Sequence, residues 1–368
     1  MNVETIENAD EFFALRDKWN DLLTSSASSS VFLTHEWLSS WWRHLAEDRR
    51  LSIIVARQNG RLAGVLPLAA RQAQYSRMMP RLLEFLGSGQ IGSDYLDAII
   101  AAGREAEVNA AFAQYCHTRG LMLQLSQLRT GNCRAALLAE SLGALGWAAA
   151  DTKLNICPYI DLTGMTWEKY LEEGGPNIRK NLKRYLRVLP KHFTVQVDCI
   201  KSPSEAEAAL EVVMDLHRKR WEVAGTSEAF QTPAVVTFHH EFVRLAAEQG
   251  WLRILVLRLN GRPAASLYGL RYGPTFYFYQ SGFDPEFSKY SVGVVTMGLA
   301  IKTAIEEGAL EYDFLHGDEE YKFHWASATR DLGRVELYPP GAGARIYRHA
   351  IHFNRAARRV ARRVLSNG

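Results

Sequence analysis

The spacing of apolar residues along this chain changes between a period of two and a period near 3.6, which predicts a mixed α/β protein. The clearest region spans residues 251–325, where three strand-like runs precede a helix and a short strand. Asn260-Gly261 separates the first two runs, and Gly273-Pro274 separates the second from the third. Asn-Gly favours a two-residue hairpin, because both central residues of that turn need a positive φ. The third run, residues 275–280, is almost entirely aromatic, which predicts a central strand.

A loop over residues 281–290 follows this strand, and Ser291-Val292-Gly293 begins a helix that we expect to end near residue 307. The apolar face of the helix is formed, at helical spacing, by Val294, Gly298, Ile301 and Ile305. The first turn of a helix exposes free backbone N–H groups and the positive end of the helix dipole. The start of this helix is therefore a candidate site for a phosphate or pyrophosphate.

The first part of the chain has a similar order of elements. We predict a helix over residues 9–23, and Thr34 is a suitable N-cap for a second helix that carries Trp37, Trp41 and Trp42. Asn59-Gly60 then predicts another hairpin. Strands are expected over residues 82–87, 95–100 and 121–125, and helices near 105–117 and 134–142. After residue 165 we predict helices over 176–189, 204–223 and 233–248. The turn after residue 85 leads to a strand, so the first part lacks the helix start that would bind an anion.

Composition narrows the class of protein. The 368 residues are 47% hydrophobic and 23% charged, as in an ordinary globular protein, and no apolar run is long enough to span a bilayer. The sequence shows no N-terminal leader of charged and then apolar residues. The four cysteines, which lack metal-ligand spacing, are Cys116, Cys133, Cys157 and Cys199. We expect a cytoplasmic protein without a metal site.

Positive charge is concentrated in two segments. The helix near residues 177–191 carries six basic residues and no acidic one. Its basic face is either solvated or contacts an anion, such as the 3′-phosphate of CoA, an acidic glycan or lipid headgroup, or RNA. Residues 341–368 carry seven arginines and no acid, which leaves −4 on the rest of a chain whose net charge is +3. This basic amphipathic tail either lies on an anionic membrane or packs its apolar stripe on the domain.

One stretch of residues resembles a known family. It comprises the hairpin, the aromatic strand, the small-residue turn, the helix, the strand Tyr312-Asp313-Phe314, and then Tyr321-Lys322 and Trp325. Their order resembles the GNAT acyltransferase superfamily. Over residues 253–325 it is similar to the branch that contains cellulose-biosynthesis acetyltransferase-like proteins and Fem-type aminoacyl transferases.

The resemblance implies an α/β (α+β) fold with two tandem GNAT-like halves, each a mixed, mostly antiparallel sheet flanked by helices. We expect residues 1–161 to form a scaffold and acceptor wall. Residues 162–340 would bind the acyl donor, and residues 341–368 would form a basic amphipathic C-terminal helix.

The resemblance also implies site residues. The acyl-CoA pyrophosphate would lie at the helix start, on Lys289, Tyr290, Ser291, Val292, Gly293 and Val294. Acyl transfer needs a base, oxyanion donors and assistance to the leaving thiolate. The expected catalytic residues are Asp313, His316, Lys322, Tyr279 and Tyr321.

These residues would have different roles. Asp313 and His316 are the alternatives for the base, and His316 has an unperturbed pKa near neutrality. Lys322 would stabilise developing negative charge or an anionic substrate. Tyr279 and Tyr321 would donate a hydrogen bond to the leaving sulfur or belong to the core. Asp284 and Trp325 are expected to contact the acceptor, while Trp37 and Trp41 are either core anchors or an acceptor wall.

The function implied is an acyl-CoA-dependent N- or O-acyltransferase, with acetyl-CoA or another acyl-CoA as co-substrate. The acceptor, which would attack directly, is expected to be a sugar, an amino acid or a precursor of the cell envelope or a polysaccharide. Two alternatives stay open: a Fem-like aminoacyl transferase that uses aminoacyl-tRNA, and an inactive GNAT-fold binding subunit of a polysaccharide machine. Peripheral attachment to the inner face of the membrane would fit an envelope substrate.

Overall fold

The computed structural model describes residues 1–71, 81–89, 91–131, 133–173, 176–225, 227 and 229–349. The strands of the first half are β1 (Asn2–Ile6), β2 (Arg50–Leu51), β3 (Ile53–Gln58), β4 (Arg61–Leu66), β5 (Leu68–Ala70), β6 (Leu82–Phe85), β7 (Ile99–Ile100), β8 (Met122–Arg129) and β9 (Ala148–Asp161). Its helices are α1 (Ala9–Phe13), α2 (Arg16–Thr24), α3 (His35–Leu45), α4 (Glu105–Arg119) and α5 (Arg134–Ala144).

The second half begins with two helices. Its strands are β10 (Val195–Ile200), β11 (Leu252–Leu259), β12 (Arg262–Tyr272), β13 (Thr275–Phe283), β14 (Glu311–Asp313) and β15 (Ala328–Tyr338). Its helices are α6 (Trp167–Glu173), α7 (Pro176–His192), α8 (Pro203–Ala224), α9 (Pro233–Glu248), α10 (Val292–Glu306) and α11 (Glu320–Trp325). Short 3₁₀ helices occur at Val31–Leu33 and Pro285–Tyr290.

The two halves repeat one strand arrangement. In each half an antiparallel hairpin leads to a strand that pairs in parallel with a later strand: β6 with β8 in the first half, and β13 with β14 in the second. A helix precedes the second strand of each pair, α4 in the first half and α10 in the second. Parallel neighbours need such a crossover, because a tight turn can join only antiparallel strands. The predicted fold of two tandem halves, with mixed and mostly antiparallel sheets flanked by helices, is confirmed.

One strand of each half lies beside a strand of the other half. β9, from the first half, pairs with β14, and β15, from the second half, pairs with β8; β9 and β15 also pair with each other. The larger sheet is therefore continuous, in the order β10-β11-β12-β13-β14-β9-β15-β8-β6-β5-β2. A smaller sheet has the order β1-β3-β4-β7. The predicted boundary at residue 161 falls at the end of β9, a strand of the first half that pairs with two strands of the second half.

Local signals in the sequence predicted several elements correctly. Asn59 and Gly60 have φ of 51° and 77°, and Asn260 and Gly261 have φ of 51° and 79°, as the predicted hairpin turns require. Thr34 caps α3, because its hydroxyl accepts a hydrogen bond from the main chain of Trp37. The strand β13 lies between two neighbours, as its aromatic sequence predicted.

Other predicted elements differ from the structure. The helix expected over residues 9–23 is two helices, because α1 ends at Phe13 and α2 begins at Arg16. The strand expected over residues 95–100 is reduced to β7, and Tyr95 has a left-handed φ of 57° that a strand does not allow. Of the C-terminal helix predicted over residues 341–368, residues 341–349 are described, and residues 342–349 are helical. Residues 350–368 lie outside the described residues.

The hydrophobic core also joins the halves. Trp37 in α3 packs edge-on against Phe238 and Phe242 in α9, with ring centroids 4.9 and 4.6 Å apart. On the other face of the larger sheet, Phe276 and Tyr312 stack beneath α10 in a separate apolar cluster. The described helices include none that combines the length and the apolar character needed to cross a membrane.

Candidate functional site

The first cavity of interest lies where β13 and β14 separate. Their parallel pairing ends at Tyr277 and Asp313, whereas β13 continues to Phe283. The part of β13 that continues beyond the pairing with β14 lines a cavity of about 630 Å³, which we call the donor cavity. Other residues in the lining of the donor cavity include Asn181, Tyr185, Arg220, Ser291, Gly293, Val294, Tyr321 and Trp325.

The helix α10 begins at the donor cavity. Ser291 has a left-handed φ of 50°, and no described side chain caps the helix start. The main-chain N–H of Val295 donates to the carbonyl of Ser291, so the N–H groups of Val292, Gly293 and Val294 precede the intrahelical ladder. Ser291, Gly293 and Val294 line the cavity. This start of α10 can therefore bind an anionic group such as a pyrophosphate.

Helix α8 contributes a cation to the same cavity. The guanidinium of Arg220 donates to the hydroxyl of Ser281 across 3.4 Å, and it lies 5.9 Å from the ring centre of Tyr321. Gly282 allows α8 to pack this close to β13, because a Cβ there would lie 2.2 Å from the main-chain nitrogen of His217. Arg220 thus adds a positive charge to a wall that already carries the N-terminus of α10.

A second cavity, of about 330 Å³, adjoins the first at Tyr321, which lines both. We call it the acceptor cavity. Both halves form its walls: Gly89, Ile91, Gly92 and Gln127 come from the first half, and His239, Phe278, Tyr279, Gln280, Leu315, His316, Glu319 and Lys322 are among those from the second. A group bound in one cavity would therefore meet a group bound in the other beside Tyr321.

A β-bulge marks the passage between the cavities. Tyr268 pairs with Gln280, but the next residue, Gly269, pairs with Phe278, so Tyr279 is an extra residue in β13. A bulge bends its strand and changes the direction of the side chains. Tyr279 and Gln280 line the acceptor cavity, whereas Ser281 lines the donor cavity.

His316 and Asp94 form a hydrogen-bonded pair at the wall of the acceptor cavity. The Nδ1 atom of His316 lies 2.8 and 3.0 Å from the two carboxylate oxygens of Asp94. The main-chain N–H of His316 also donates to Asp94, across 2.7 Å. The negative charge of Asp94 raises the pKa of His316, while burial lowers it. Asp94 itself is fully buried.

The backbone around this pair is strained. Tyr95 follows Asp94 with a φ of 57°, and Leu315 precedes His316 with a φ of 56°. Gln127 lies in the same wall with a φ of 62°, and its carbonyl accepts a hydrogen bond from the main chain of Leu96. Left-handed residues other than glycine each cost on the order of 1 kcal/mol and cluster at functional sites.

Both tyrosines proposed as hydrogen-bond donors line the acceptor cavity, and Tyr321 also lines the donor cavity. Burial raises the pKa of Tyr279 and of Tyr321, so both hydroxyls stay protonated at neutral pH. The hydroxyl of Tyr279 lies 3.4 Å from Nε2 of His239. Lys322 is nearly fully buried, and its ammonium contacts the main-chain carbonyl of His316 and the carboxylate of Glu319. The structure therefore brings together four of the five predicted catalytic residues.

Asp313 lies elsewhere. It neighbours Tyr312 in β14, and because strand side chains alternate, it points to the opposite face from α10. Its carboxylate accepts a hydrogen bond from Tyr95 across 2.7 Å and lies 3.5 Å from the guanidinium of Arg330. Burial raises the pKa of Asp313 to about 7, and the charge of Arg330 opposes that shift. Asp313 lines neither the donor nor the acceptor cavity.

Some of the predicted binding residues line the donor cavity, and others do not. Trp325 lines the donor cavity, as do Ser291, Gly293 and Val294. Lys289 and Tyr290 belong to the preceding 3₁₀ helix, and Val292 is buried against the domain, so these three do not line it. Asp284 caps that 3₁₀ helix through the main-chain N–H of Glu286.

Trp37 and Trp41 are fully buried and line neither cavity. Trp37 still affects the site, because its indole N–H donates to the hydroxyl of Ser93, next to Asp94, across 2.9 Å. Its packing therefore holds the loop that carries Asp94.

Asp94, Arg220 and Gln280 are site residues that the sequence did not reveal. Asp94 follows a Gly- and Ser-rich turn, which is a weak sign of a functional loop, but its partner lies 222 residues away. Arg220 lies in a long helix among several other charged residues. Within the described ranges, no group of His, Cys, Asp or Glu could hold a metal ion.

Most of the second half matches a known family model. Residues 176–323 match the family model described as Acetyltransferase (GNAT) domain. This stretch contains the start of α10, Arg220, His316 and Lys322. No curated protein matches the sequence.

Several solved structures share the fold over almost the whole chain. FemX has a TM-score of 0.64 and 11% identity, and the match covers 95% of this chain and 99% of FemX. The C-terminal domain of a putative lysylphosphatidylglycerol synthetase from Agrobacterium fabrum has a TM-score of 0.53 and 10% identity, with 94% and 97% covered. L-PGS from Bacillus licheniformis has a TM-score of 0.52 and 13% identity, with 88% and 91% covered. At these identities the similarity is one of fold.

Proposed function

We propose that this chain, whose residues 176–323 match the GNAT domain model, is an acyltransferase that uses an acyl-CoA donor, and acetyl-CoA is the donor to test first. The observation that carries the proposal is the junction of the two cavities at Tyr321. One cavity offers an anion-binding helix start and Arg220, and the other offers His316. A thioester and a nucleophile bound in them would meet beside Tyr321, so proximity alone would favour transfer.

The donor would lie with its pyrophosphate on the start of α10. The free N–H groups of Gly293 and Val294 and the positive helix end suit that anion. Arg220 would neutralise a second negative charge. The pantetheine arm would then run along the part of β13 beyond Tyr277, which pairs with β12 on one side but has no partner in β14 on the other.

The acceptor would attack the thioester directly. Among the predicted catalytic residues, His316 would take the proton of the attacking amine or hydroxyl, and Tyr321 would protonate the leaving sulfur. Lys322 would hold in place the backbone turn that carries His316. Asp313 would act only as a buried structural carboxylate in this scheme, because it faces away from the cavities.

The acceptor class follows from the walls of its cavity. Gln127, Gln280 and the main chain of Gly89 and Gly92 offer polar groups, while Tyr279 offers a flat aromatic surface. Such walls suit a sugar, an amino acid or a polysaccharide or envelope precursor that carries an amine or hydroxyl. The first half would supply the acceptor wall and residues 162–340 the donor site. We expect the enzyme in the cytoplasm, with the basic tail beyond residue 341 available to an anionic membrane.

A second candidate is transfer from aminoacyl-tRNA, and one observation favours it. α7 has an exposed basic row beside Asn181 and Tyr185 of the donor cavity, formed by Lys180, Lys183, Arg184, Arg187 and Lys191. Such a row suits a longer phosphate backbone than that of CoA. A binding subunit without activity would be the remaining alternative.

Calorimetric titration with acetyl-CoA, CoA and an uncharged tRNA mixture separates these functions. We expect micromolar binding of acetyl-CoA and CoA at physiological salt, with tRNA binding that is weaker and falls steeply with salt. Tight tRNA binding without CoA binding would replace the acyl-CoA proposal by the second candidate. Binding of acetyl-CoA with no thiol release, in the presence of amine and sugar acceptors, would favour a binding subunit.

A further inference from the structure

The contact between His316 and Asp94 has the geometry of a base held by a buried carboxylate. Both oxygens of Asp94 lie within 3.0 Å of Nδ1 of His316, and one of them also accepts from the main chain of His316. Asp94 is fully buried, so water does not compete for these bonds. The carboxylate therefore fixes both the position of the imidazole and the direction of its ring.

The first half of the chain holds this carboxylate in place. The hydroxyl of Ser93, the preceding residue, accepts a hydrogen bond from the indole of Trp37. The following residues adopt a left-handed turn at Tyr95 and bond to β8 through Leu96 and Gln127. Asp94 is thus fixed on both sides by the core of the first half, whereas His316 belongs to the second half.

The same contact selects a tautomer of His316. An Nδ1–H that donates to Asp94 leaves Nε2 without a proton and able to accept one. The ring is 36% exposed and lines the acceptor cavity, so an acceptor can reach it. Gly92 lies against the ring: a Cβ there would be 3.2 Å from Cε1 of His316.

The other titratable groups of the acceptor cavity are less suited to this role. His239 is buried among aromatic rings, and burial lowers its pKa to about 3. The ammonium of Lys322 is engaged by the carbonyl of His316 and by Glu319. Glu319 is in turn occupied by Lys322 and lies at the exposed rim.

We infer that Asp94 and His316 form a split catalytic pair, in which His316 from one half is the general base and Asp94 from the other half is its positioning residue. This inference rests on the proposed acyl transfer. The acceptor nitrogen or oxygen forms a bond to the thioester carbonyl carbon, and its proton passes to Nε2 of His316. The C–S bond then breaks, and the thiolate takes a proton from Tyr321 or from water, so that CoA leaves as the thiol.

The first test needs no acceptor. NMR of ¹⁵N-labelled histidine compares the wild type with Asp94→Asn and Asp94→Glu, and Asp97→Asn is the control. The signals of His316 are identified by their loss in His316→Gln. Asp97 is another buried carboxylate of the same loop, but it caps α5 through the main chain of Arg134 and Ala135. We expect the Nδ1–H tautomer for His316 in the wild type and in Asp97→Asn. An Nε2–H tautomer in the wild type would overturn the inference.

The second test measures catalysis. Thiol release from acetyl-CoA is followed with water, glucosamine and lysine as acceptors, together with calorimetric affinity for acetyl-CoA. We expect His316→Gln to slow release about 100-fold at unchanged affinity, as for loss of a general base. Asp94→Asn should slow it about 10-fold or more, with partial recovery in Asp94→Glu. Asp97→Asn should match the wild type, as should His240→Gln, because His240 lies in α9 beside Glu211 and lines neither cavity.

The pH profile separates a positioning role from a structural one. Asp94 and Glu319 raise the pKa of His316, and Lys322 lowers it. Removing the charge of Asp94 should therefore move the acidic limb of the rate profile to lower pH while reducing the maximum. Wild-type rates in folded His316→Gln would overturn the inference and leave the proposed function intact. Failure of the wild type to bind acetyl-CoA would instead remove the proposed function and this inference with it.

Discussion

The ammonium of Lys322 donates to the main-chain carbonyl of His316 across 2.7 Å, from a position that is 4% exposed. It also lies 2.9 Å from Glu319. Gly317 has a φ of 133°, and a Cβ on it would lie 2.6 Å from the same ammonium. The turn that carries His316 is therefore folded around the side chain of Lys322.

Replacing Lys322 should reduce turnover more than donor affinity. Lys322→Ala removes a charge-assisted hydrogen bond worth about 1.5–3 kcal/mol, and the freed turn would no longer hold His316. We expect a fall in kcat of about 10- to 100-fold with little change in the affinity for acetyl-CoA. Lys153→Ala, which removes an exposed partner of Asp331, is the control. Full activity of Lys322→Ala would remove Lys322 from the mechanism.

Gly293 tests the donor cavity. Gly293→Trp should fill the space at the start of α10 and abolish binding of acetyl-CoA in calorimetry. Gly293→Ala is the matched control, because a Cβ there would meet Phe283 at 3.5 Å, an ordinary contact. We expect the alanine variant to bind within a few-fold of the wild type and both variants to stay folded by circular dichroism. Unchanged affinity in Gly293→Trp would contradict the pyrophosphate site.

The fold could be predicted where the determining interactions are local. The Asn-Gly turns, the Thr34 cap and the helix α9 are each specified within a few residues. β9 and β15 were missed because their place in the sheet depends on partners in the other half. β15 also has many half-buried polar positions, so its sequence lacks a clear alternation.

The same division applies to the site. The helix start at Gly293 and the histidine at 316 lie in a contiguous motif, so the sequence could suggest them. Asp94 becomes part of the site only through the contact between halves, which no spacing reveals. Asp313 looked equivalent to His316 from the sequence, but the alternation of side chains in β14 turns it to the other face.

Arg220 should contribute to donor affinity rather than to the chemical step. Arg220→Gln removes the positive charge beside Ser281, and we expect acetyl-CoA to bind about 10- to 100-fold more weakly, as for a charge-assisted bond. Arg218→Gln on the same helix is the matched control, since Arg218 is exposed and pairs with Asp215. The loss should shrink when the donor is replaced by a pantetheine thioester that lacks phosphates. An equal loss with that thioester would show that Arg220 does not bind a phosphate.

His239 should make stability depend on pH. It is 2% exposed among the rings of Phe230, Phe238 and Tyr279, and burial lowers its pKa to about 3, below the value near 6.5 of an unfolded chain. The unfolded state therefore takes up a proton as pH falls below about 6.5, while the folded state stays neutral until about 3. Because of this histidine, lowering the pH from 7 to 5 should reduce the free energy of unfolding by about 2 kcal/mol. Urea denaturation at both pH values should show a smaller pH-dependent loss in His239→Phe than in the wild type. His192→Gln, at an exposed histidine, should retain the wild-type loss, and equal losses in all three proteins would show that His239 does not stay neutral in the folded state.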